Sequence, residues 1–309
     1  MLIFWIFVFI VALVVMVKGS DYLVESAEKI GLSFGLSPFI VGVTIVGIGT
    51  SFPELIASFA ALLQGVPEVI AANAVGSNIA NILLVVGVAA VVGKRLSVTK
   101  NLIDVDLPLL GLATILSLWA LSDATVTLGE SILLVVAYGV YFVYTLMSKE
   151  EDGSEIVERP HVVLRDYVLL VLGVVGLFVG AHFLITSLKE VAMIINIGAG
   201  VIAITAVAIG TSLPELLVSV KAALKGKAEV ALGNIFGSNI FNILMVVGLP
   251  GLFGTLTVDS QTMAVGLPVV ALATLAFIIS GISRKIHAWE GAFFLCLYVM
   301  FIGKLFGMF

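Results

Sequence analysis

Two glutamates sit inside strongly apolar stretches of this chain, and each sits in the same local context. Gly49-Thr50-Ser51-Phe52-Pro53-Glu54-Leu55 returns as Gly210-Thr211-Ser212-Leu213-Pro214-Glu215-Leu216, 161 positions later. A second block, Asn73-Ala74-Val75-Gly76-Ser77-Asn78-Ile79-Ala80-Asn81-Ile82-Leu83, returns as Asn234-Ile235-Phe236-Gly237-Ser238-Asn239-Ile240-Phe241-Asn242-Ile243-Leu244 at the same offset of 161. An ionisable group at membrane depth is costly, so one that recurs inside apolar segments marks an ion or substrate site by default.

The residue types around the glutamates define the chemistry. Gly47, Thr50 and Glu54 fall at i, i+3 and i+7 on one helical face, as do Ala208, Thr211 and Glu215. Ser77 and Asn81 are spaced i, i+4, with Ser238 and Asn242 as counterparts. Pro53 and Pro214 each remove an amide donor and crowd the carbonyl four residues earlier, so the helix is expected to bend or unwind near Glu54 and Glu215 and to free carbonyl oxygens. Converging these faces collects two carboxylates, two carboxamides and several hydroxyls, with neither sulfur nor imidazole. Hard cations such as Ca²⁺ take such all-oxygen shells. A pocket of charge −2 is neutralised by one Ca²⁺, two Na⁺ or two protons, which sets divalent and monovalent cations in competition.

Other polar positions have plainer readings. Asn73, Asn234, Asn78 and Asn239 serve either the site or helix joining. Glu68 and Glu229 stand at helix starts, where a carboxylate complements the helix dipole. Asp106, Glu130 and Glu290 read as boundary residues.

The elements that must hold this cluster follow from composition. Of the 309 residues, 61% are hydrophobic and 11% charged, and the mean hydropathy is +1.24, which excludes a soluble fold. Segments near 2–17, 38–64, 68–92, 106–121, 129–147, 163–186, 198–224, 228–252, 262–280 and 286–306 are each apolar enough to cross a bilayer. The first has no basic residue before its apolar run and carries Lys18 after it, so it reads as a retained helix. The single cysteine, Cys296, excludes an internal disulfide.

Charge placement sets the expected topology. With the N-terminus extracytoplasmic, Lys18, Lys29, Lys94, Arg95, Lys100, Lys149, Arg159, Arg165, Lys221, Lys225, Lys227, Arg284 and Lys285 all fall in cytoplasmic loops, leaving only Lys189 and Lys304 on the other side. Both termini are then outside. The fold expected is all-α and integral to the membrane, with ten transmembrane helices in two inverted five-helix repeats, 1–147 and 162–309, joined by a short acidic cytoplasmic linker, 148–161. Gly19-Ser20-Asp21-Tyr22-Leu23 aligns with Gly180-Ala181-His182-Phe183-Leu184 at the same offset, which extends the repeat beyond the two blocks.

The GTS(F/L)PEL and GSNI-x-NIL blocks resemble the two α-repeats of the calcium/cation antiporter superfamily, in the compact form of the prokaryotic sodium/calcium exchangers. The resemblance covers essentially the whole chain. It implies that Glu54 and Glu215 are central Ca²⁺ ligands and that Thr50 and Thr211 add oxygens. It also implies that Ser51, Ser212, Ser77 and Ser238, with carbonyls near Gly47 and Ala208, serve flanking Na⁺ sites, and that Asn81 and Asn242 line the middle of the pocket. Some family members carry aspartate where this chain has Asn242, and the neutral amide argues against potassium co-transport. The expectation is a multi-pass carrier of the plasma membrane that exchanges Ca²⁺ for Na⁺, the nearest rival being Ca²⁺/H⁺ antiport and a more distant one a passive channel. No enzymatic activity, cofactor, nucleic acid or protein partner is implied; the expected partners are Ca²⁺, monovalent cations and the lipid bilayer.

Overall fold

A computed structural model describes residues 2–97, 105–147, 160–194, 212–305 and 307. Within these, long apolar runs fold as helices, because a chain in hydrocarbon must satisfy its backbone internally. Eight described spans are long and apolar enough to cross a bilayer, and Leu107–Leu121 is a shorter apolar helix. The chain is an all-helical membrane protein.

Helix α1, Leu2–Ser33, is followed by α2, Pro38–Val41, a π-helical turn at Gly42–Val46, and α3, Gly47–Leu63. The next span comprises α4, Glu68–Ile79, a π-helical stretch at Ala80–Val86, and α5, Gly87–Gly93. Helices α6, Leu107–Leu121, α7, Leu128–Met147, and α8, Leu164–Ile194, come next. Of the expected span 198–224, the structure describes α9, Leu213–Leu224. Then come α10, Ala228–Phe241, a π-helical turn at Asn242–Val246, and α11, Val247–Gly251. A further π-helical turn at Thr262–Gly266 leads into α12, Leu267–Ile282, and α13 closes the order at Ala288–Leu305.

Two turns repeat in detail. Gly65 and Gly226, 161 apart, both have φ of +73° and end α3 and α9 with the same pair of reversed bonds. These are Gly65 N to Leu62 O and Val66 N to Ala61 O, against Gly226 N to Ala223 O and Lys227 N to Ala222 O. Glycine takes this left-handed conformation without steric cost, and the helix's last carbonyls are thereby satisfied.

Contacts between the halves are reciprocal. Gly19 of α1 lies against Gly173 and Leu177 of α8, and Gly180 of α8 lies against Ala12 and Met16 of α1. Gly87 meets Leu295, and Gly248 meets Leu134. Strand β1, Arg95–Ser97, pairs antiparallel with β4, Lys285–His287, placing Arg95 opposite His287; β2, Thr125–Val126, pairs with β3, Leu256–Thr257, placing Val126 opposite Leu256. In every case, adding or subtracting 161 turns one contact into the other. Glycines at the α1–α8 crossing let the backbones touch, the usual route to close helix association in lipid.

Several of the described basic residues gather at one end. Lys29 pairs with Asp166 at 2.7 Å, Lys225 with Asp21 at 2.9 Å and Glu25 at 2.8 Å, and Lys227 with Glu28. Gly93, next to Lys94 and Arg95, packs beside Ala223, and the β1–β4 pair joins that corner to Lys285. Lys100, Lys149 and Arg159 lie outside the described residues.

Three expectations need correction. The first helix does not stop at residue 17 but continues to Ser33, because Asp21, Glu25, Glu28 and Lys29 find charge partners on α8, α9 and the turn after it. Lys18 and Lys29 are therefore helical, not in a loop. Helix α3 passes Pro53 without interruption, and the irregularity lies a turn and more earlier, in the π-helical turn at Gly42–Val46. Asp106 is a boundary residue by position but only 5% exposed.

Candidate functional site

The site forms where α3 and α9 cross the middle of the molecule beside α4 and α10. Helix α10 carries Gly233 and Gly237 on the face that meets the first half. A methyl group on Gly237 would run into the Val43 carbonyl, and one on Gly233 into the Phe39 carbonyl. This backbone contact carries Ser238 to the carbonyl of Gly47, where its hydroxyl donates at 3.3 Å.

Around that junction, Thr50 Oγ1 lies 3.3 Å from the Gly47 carbonyl, 3.3 Å from Ser238 Oγ and 3.0 Å from Asn234 Oδ1. Asn234 Nδ2 in turn donates to Ser219 Oγ at 2.9 Å. The two halves also meet at Ser51, whose hydroxyl donates to Glu215 Oε1 at 3.2 Å. Glu54 and Glu215 lie within electrostatic reach of each other. Glu54 is 2% exposed and Glu215 0%, so neither carboxyl is hydrated from the surface.

Local backbone explains several of these positions. Pro53 deprives the Gly49 carbonyl of its amide donor four residues on. Ser212 is the residue before α9, Pro214 fits its first turn, and Glu215 follows in that turn, where a helix N-terminus favours a carboxylate. Asn81 lies in the π-helical stretch Ala80–Val86, and Asn242 opens the one at Asn242–Val246. Such turns displace a side chain from regular helical register and recur at functional sites. The stretch with Asn81 packs against α9, which holds Glu215, and the one with Asn242 packs against α3, which holds Glu54.

The structure thus joins Gly47, Thr50, Ser51, Glu215 and Ser238 by direct hydrogen bonds, with Glu54 beside them. Asn81, Asn242, Ser77 and Ser212 are buried on the surrounding elements, each 2% exposed or less. Thr211 and Ala208 lie outside the described residues. Both carboxylate oxygens of Glu54, Glu215 Oε2, Ser212 Oγ and the amide groups of Asn81 and Asn242 are buried with no hydrogen-bond partner among the described residues. Buried polar groups are otherwise paired in the great majority of cases, so a cluster of orphaned oxygens around two carboxylates is a donor set suited to a cation. Among the described residues no three His, Cys, Asp or Glu side chains form a metal cluster.

Sequence reasoning left Asn234 undecided and passed over Ser219 and Ser58. The signal was present, since each serine stands one helical turn after a glutamate and on its face, at Glu54 plus four and Glu215 plus four.

Comparison with known proteins shows the family. The chain matches the sodium/calcium exchanger protein family over residues 4–147 and again over 166–306. It is 34% identical to the sodium/calcium exchanger MaX1 of Methanosarcina acetivorans, over 97% of each chain. It is also 34% identical to an uncharacterized membrane protein of Methanocaldococcus jannaschii, MJ0091, over 99% of each. A solved structure of the sodium-calcium exchanger NCX_Mj, soaked with 10 mM Na⁺ and zero Ca²⁺, superposes with a TM-score of 0.86 at 32% identity, covering 99% of this chain and 100% of that one. With the paired signature blocks, the oxygen cluster and both family matches in place, the chain belongs to the sodium/calcium exchanger family.

Proposed function

We propose that this protein is a secondary active antiporter that exchanges Ca²⁺ for Na⁺ by alternating access at the pocket between Glu54 and Glu215. The observation that carries the reading is the set of buried, unpartnered oxygens around those two carboxylates. Glu54 and Glu215 hold the divalent ion, with Thr50 and Thr211 adding oxygens and Asn81 and Asn242 lining the centre. Ser51, Ser212, Ser77 and Ser238, with the carbonyls of Gly47 and Ala208, complete smaller monovalent sites. Bound Ca²⁺ neutralises the pocket, and Na⁺ ions replace it from the same oxygens.

In this reading residues 1–147 and 162–309 are inverted five-helix repeats, ten spans in all, joined by the linker 148–161. The reciprocal contacts between halves support a two-fold relation, as in an isologous interface. The gathering of basic residues at one end supports placing that end in the cytoplasm, with both termini outside and the plasma membrane as the site of action.

The test is calcium-45 uptake into proteoliposomes under a Na⁺ gradient and, separately, a pH gradient. Uptake driven by Na⁺ and not by the pH gradient is expected. Uptake driven by the pH gradient alone would put protons in place of Na⁺, and flux without any counter-ion would make the protein a channel.

A further inference from the structure

The second half contains a polar junction whose copy in the first half is present but not joined. Asn234 Nδ2 donates to Ser219 Oγ at 2.9 Å and approaches the Glu215 carbonyl at 3.5 Å, while its Oδ1 accepts from Thr50. The amide thus ties α10 to α9, and both to α3 of the other half. Subtracting 161 from Asn234, Ser219 and Glu215 gives Asn73, Ser58 and Glu54, so the same residue types occupy the corresponding places on α4 and α3. There, Asn73 Nδ2 and Ser58 Oγ are both buried, and neither has a hydrogen-bond partner among the described residues. Identical chemistry with different bonding means that the difference is one of conformation.

The two junctions guard opposite ends of the ion site. Asn234 and Ser219 lie between Glu215 and the turn at Lys225, Gly226 and Lys227, at the basic end. Asn73 and Ser58 lie between Glu54 and the turn at Gly65, at the other end. Asn234 is completely enclosed. Asn73 instead lines a cavity of about 500 Å³ that extends from Glu68 and Asp259 to Ser77 and Ala80, one residue short of Asn81. The joined amide is thus enclosed, and open space lies beside the one that is not joined. Two buried polar groups held apart forfeit their hydrogen bond, and that loss is recovered when their helices close.

We propose that Asn73 with Ser58 and Asn234 with Ser219 are two copies of one latch, made in alternation, so that the latch in place decides which end of the ion site is shut. The proposal rests on the alternating-access reading above. Because the two bonds are chemically equivalent, exchanging one for the other leaves the energies of the two states close, as an equilibrium shifted by ion binding requires. All four residues are positioning residues and are not ion ligands.

The experiment uses the full chain carrying Ser219→Ala, Ser58→Ala or both. Amide hydrogen exchange is read in detergent at 219–227 and 58–66, and half-saturating Ca²⁺ is measured from each face in proteoliposomes. Ser219→Ala removes the latch that is made. It should speed exchange at 219–227 and lower half-saturating Ca²⁺ about three- to fivefold at the basic-end face while raising it at the opposite face. Ser58→Ala removes a group that makes no bond in the described state, so it preserves that fold and should shift both half-saturation values the other way. The double variant should return them toward the parent. Single variants that shift the same face in the same direction, or a double variant that sums two losses, would overturn the latch. Should the parent protein fail to exchange Ca²⁺, the functional reading falls, and hydrogen exchange at the two hairpins still decides the latch.

Discussion

Asn78 and Asn239 stand 161 positions apart and touch each other. Asn78 Nδ2 donates to the Asn239 carbonyl at 3.0 Å, whereas Asn239 Nδ2 donates to the Ile235 carbonyl at 2.8 Å, one turn back on its own helix. Residues at the offset of 161 thus meet each other directly here, on the helices α4 and α10 that flank the candidate site. The bonding is nonetheless unequal, one amide tying the halves together and the other serving its own helix.

Asn78→Ala should therefore lower stability in detergent by about 1 kcal/mol, the order found for interhelical hydrogen bonds in membranes. Asn239→Ala should cost clearly less, because the Ile235 carbonyl keeps its helical donor. Thermal unfolding followed by fluorescence makes the comparison, and equal losses would contradict the assignment of the bonds.

Glu54→Gln and Glu215→Gln should each abolish Ca²⁺ transport while leaving folded protein in the membrane, since either change removes one of the pocket's two negative charges. Ser51→Ala should be milder, weakening transport severalfold, because it removes a single donor to Glu215. Calcium-45 uptake by purified, monodisperse variants reads this out, and near-normal exchange by either glutamine variant would refute the site.

If three Na⁺ replace one Ca²⁺, each cycle moves one net charge and transport should respond to membrane potential at about 2.3 kcal/mol per charge per 100 mV. Uptake measured at imposed potassium diffusion potentials should change steeply with their sign. A flat response would exclude that stoichiometry.

Gly237→Ala should be far more damaging than its single methyl suggests. The added carbon would meet the backbone of Val43, which cannot rotate out of the way, and overpacking of this kind costs about 1–3 kcal/mol. The same substitution at Gly76, the counterpart 161 positions earlier, meets nothing within 4 Å and should be tolerated. Comparing the two melting temperatures tests the close approach of α10 to the π-helical turn.

Asp259 precedes the helix leading to Thr262, and it accepts from the amides of Gln261 and Thr262 and from the Thr262 hydroxyl. Burial pushes its carboxyl upward, but these bonds outweigh burial and hold it below the ordinary value of 3.8. A depressed value in the folded state stabilises above pH 3.8 and fades as pH falls through the folded value. Asp259→Ala should cost about 1 kcal/mol at neutral pH and progressively less in acid, whereas Asp259→Asn should retain most of the cap. A penalty independent of pH would contradict the role of the carboxylate.

Much of this was legible in the residues. Glu54, Glu215, Thr50, Ser51 and Ser238 announce themselves because polar groups in apolar surroundings need a reason, and duplication supplies an internal control. The length of α1 was hidden because Lys18, Asp21 and Glu25 look like the end of a span, whereas the ion pairs that its later charges make with Asp166, Lys221, Lys225 and Lys227 explain why the helix continues. The π-helical turns at Gly42 and Asn242 have no local signature, although both pack against the other half. The bonding of Asn234 was equally out of reach, because its twin Asn73, with the same neighbours in sequence, makes no such bond.

The reciprocal contacts of Gly87 with Leu295 and of Gly248 with Leu134 set each portion of the chain against the other. Neither portion encloses a complete interior alone, since each lends helices to the other. Severing the chain between Met147 and Leu164 should consequently yield fragments that fold together when co-expressed and aggregate when produced separately.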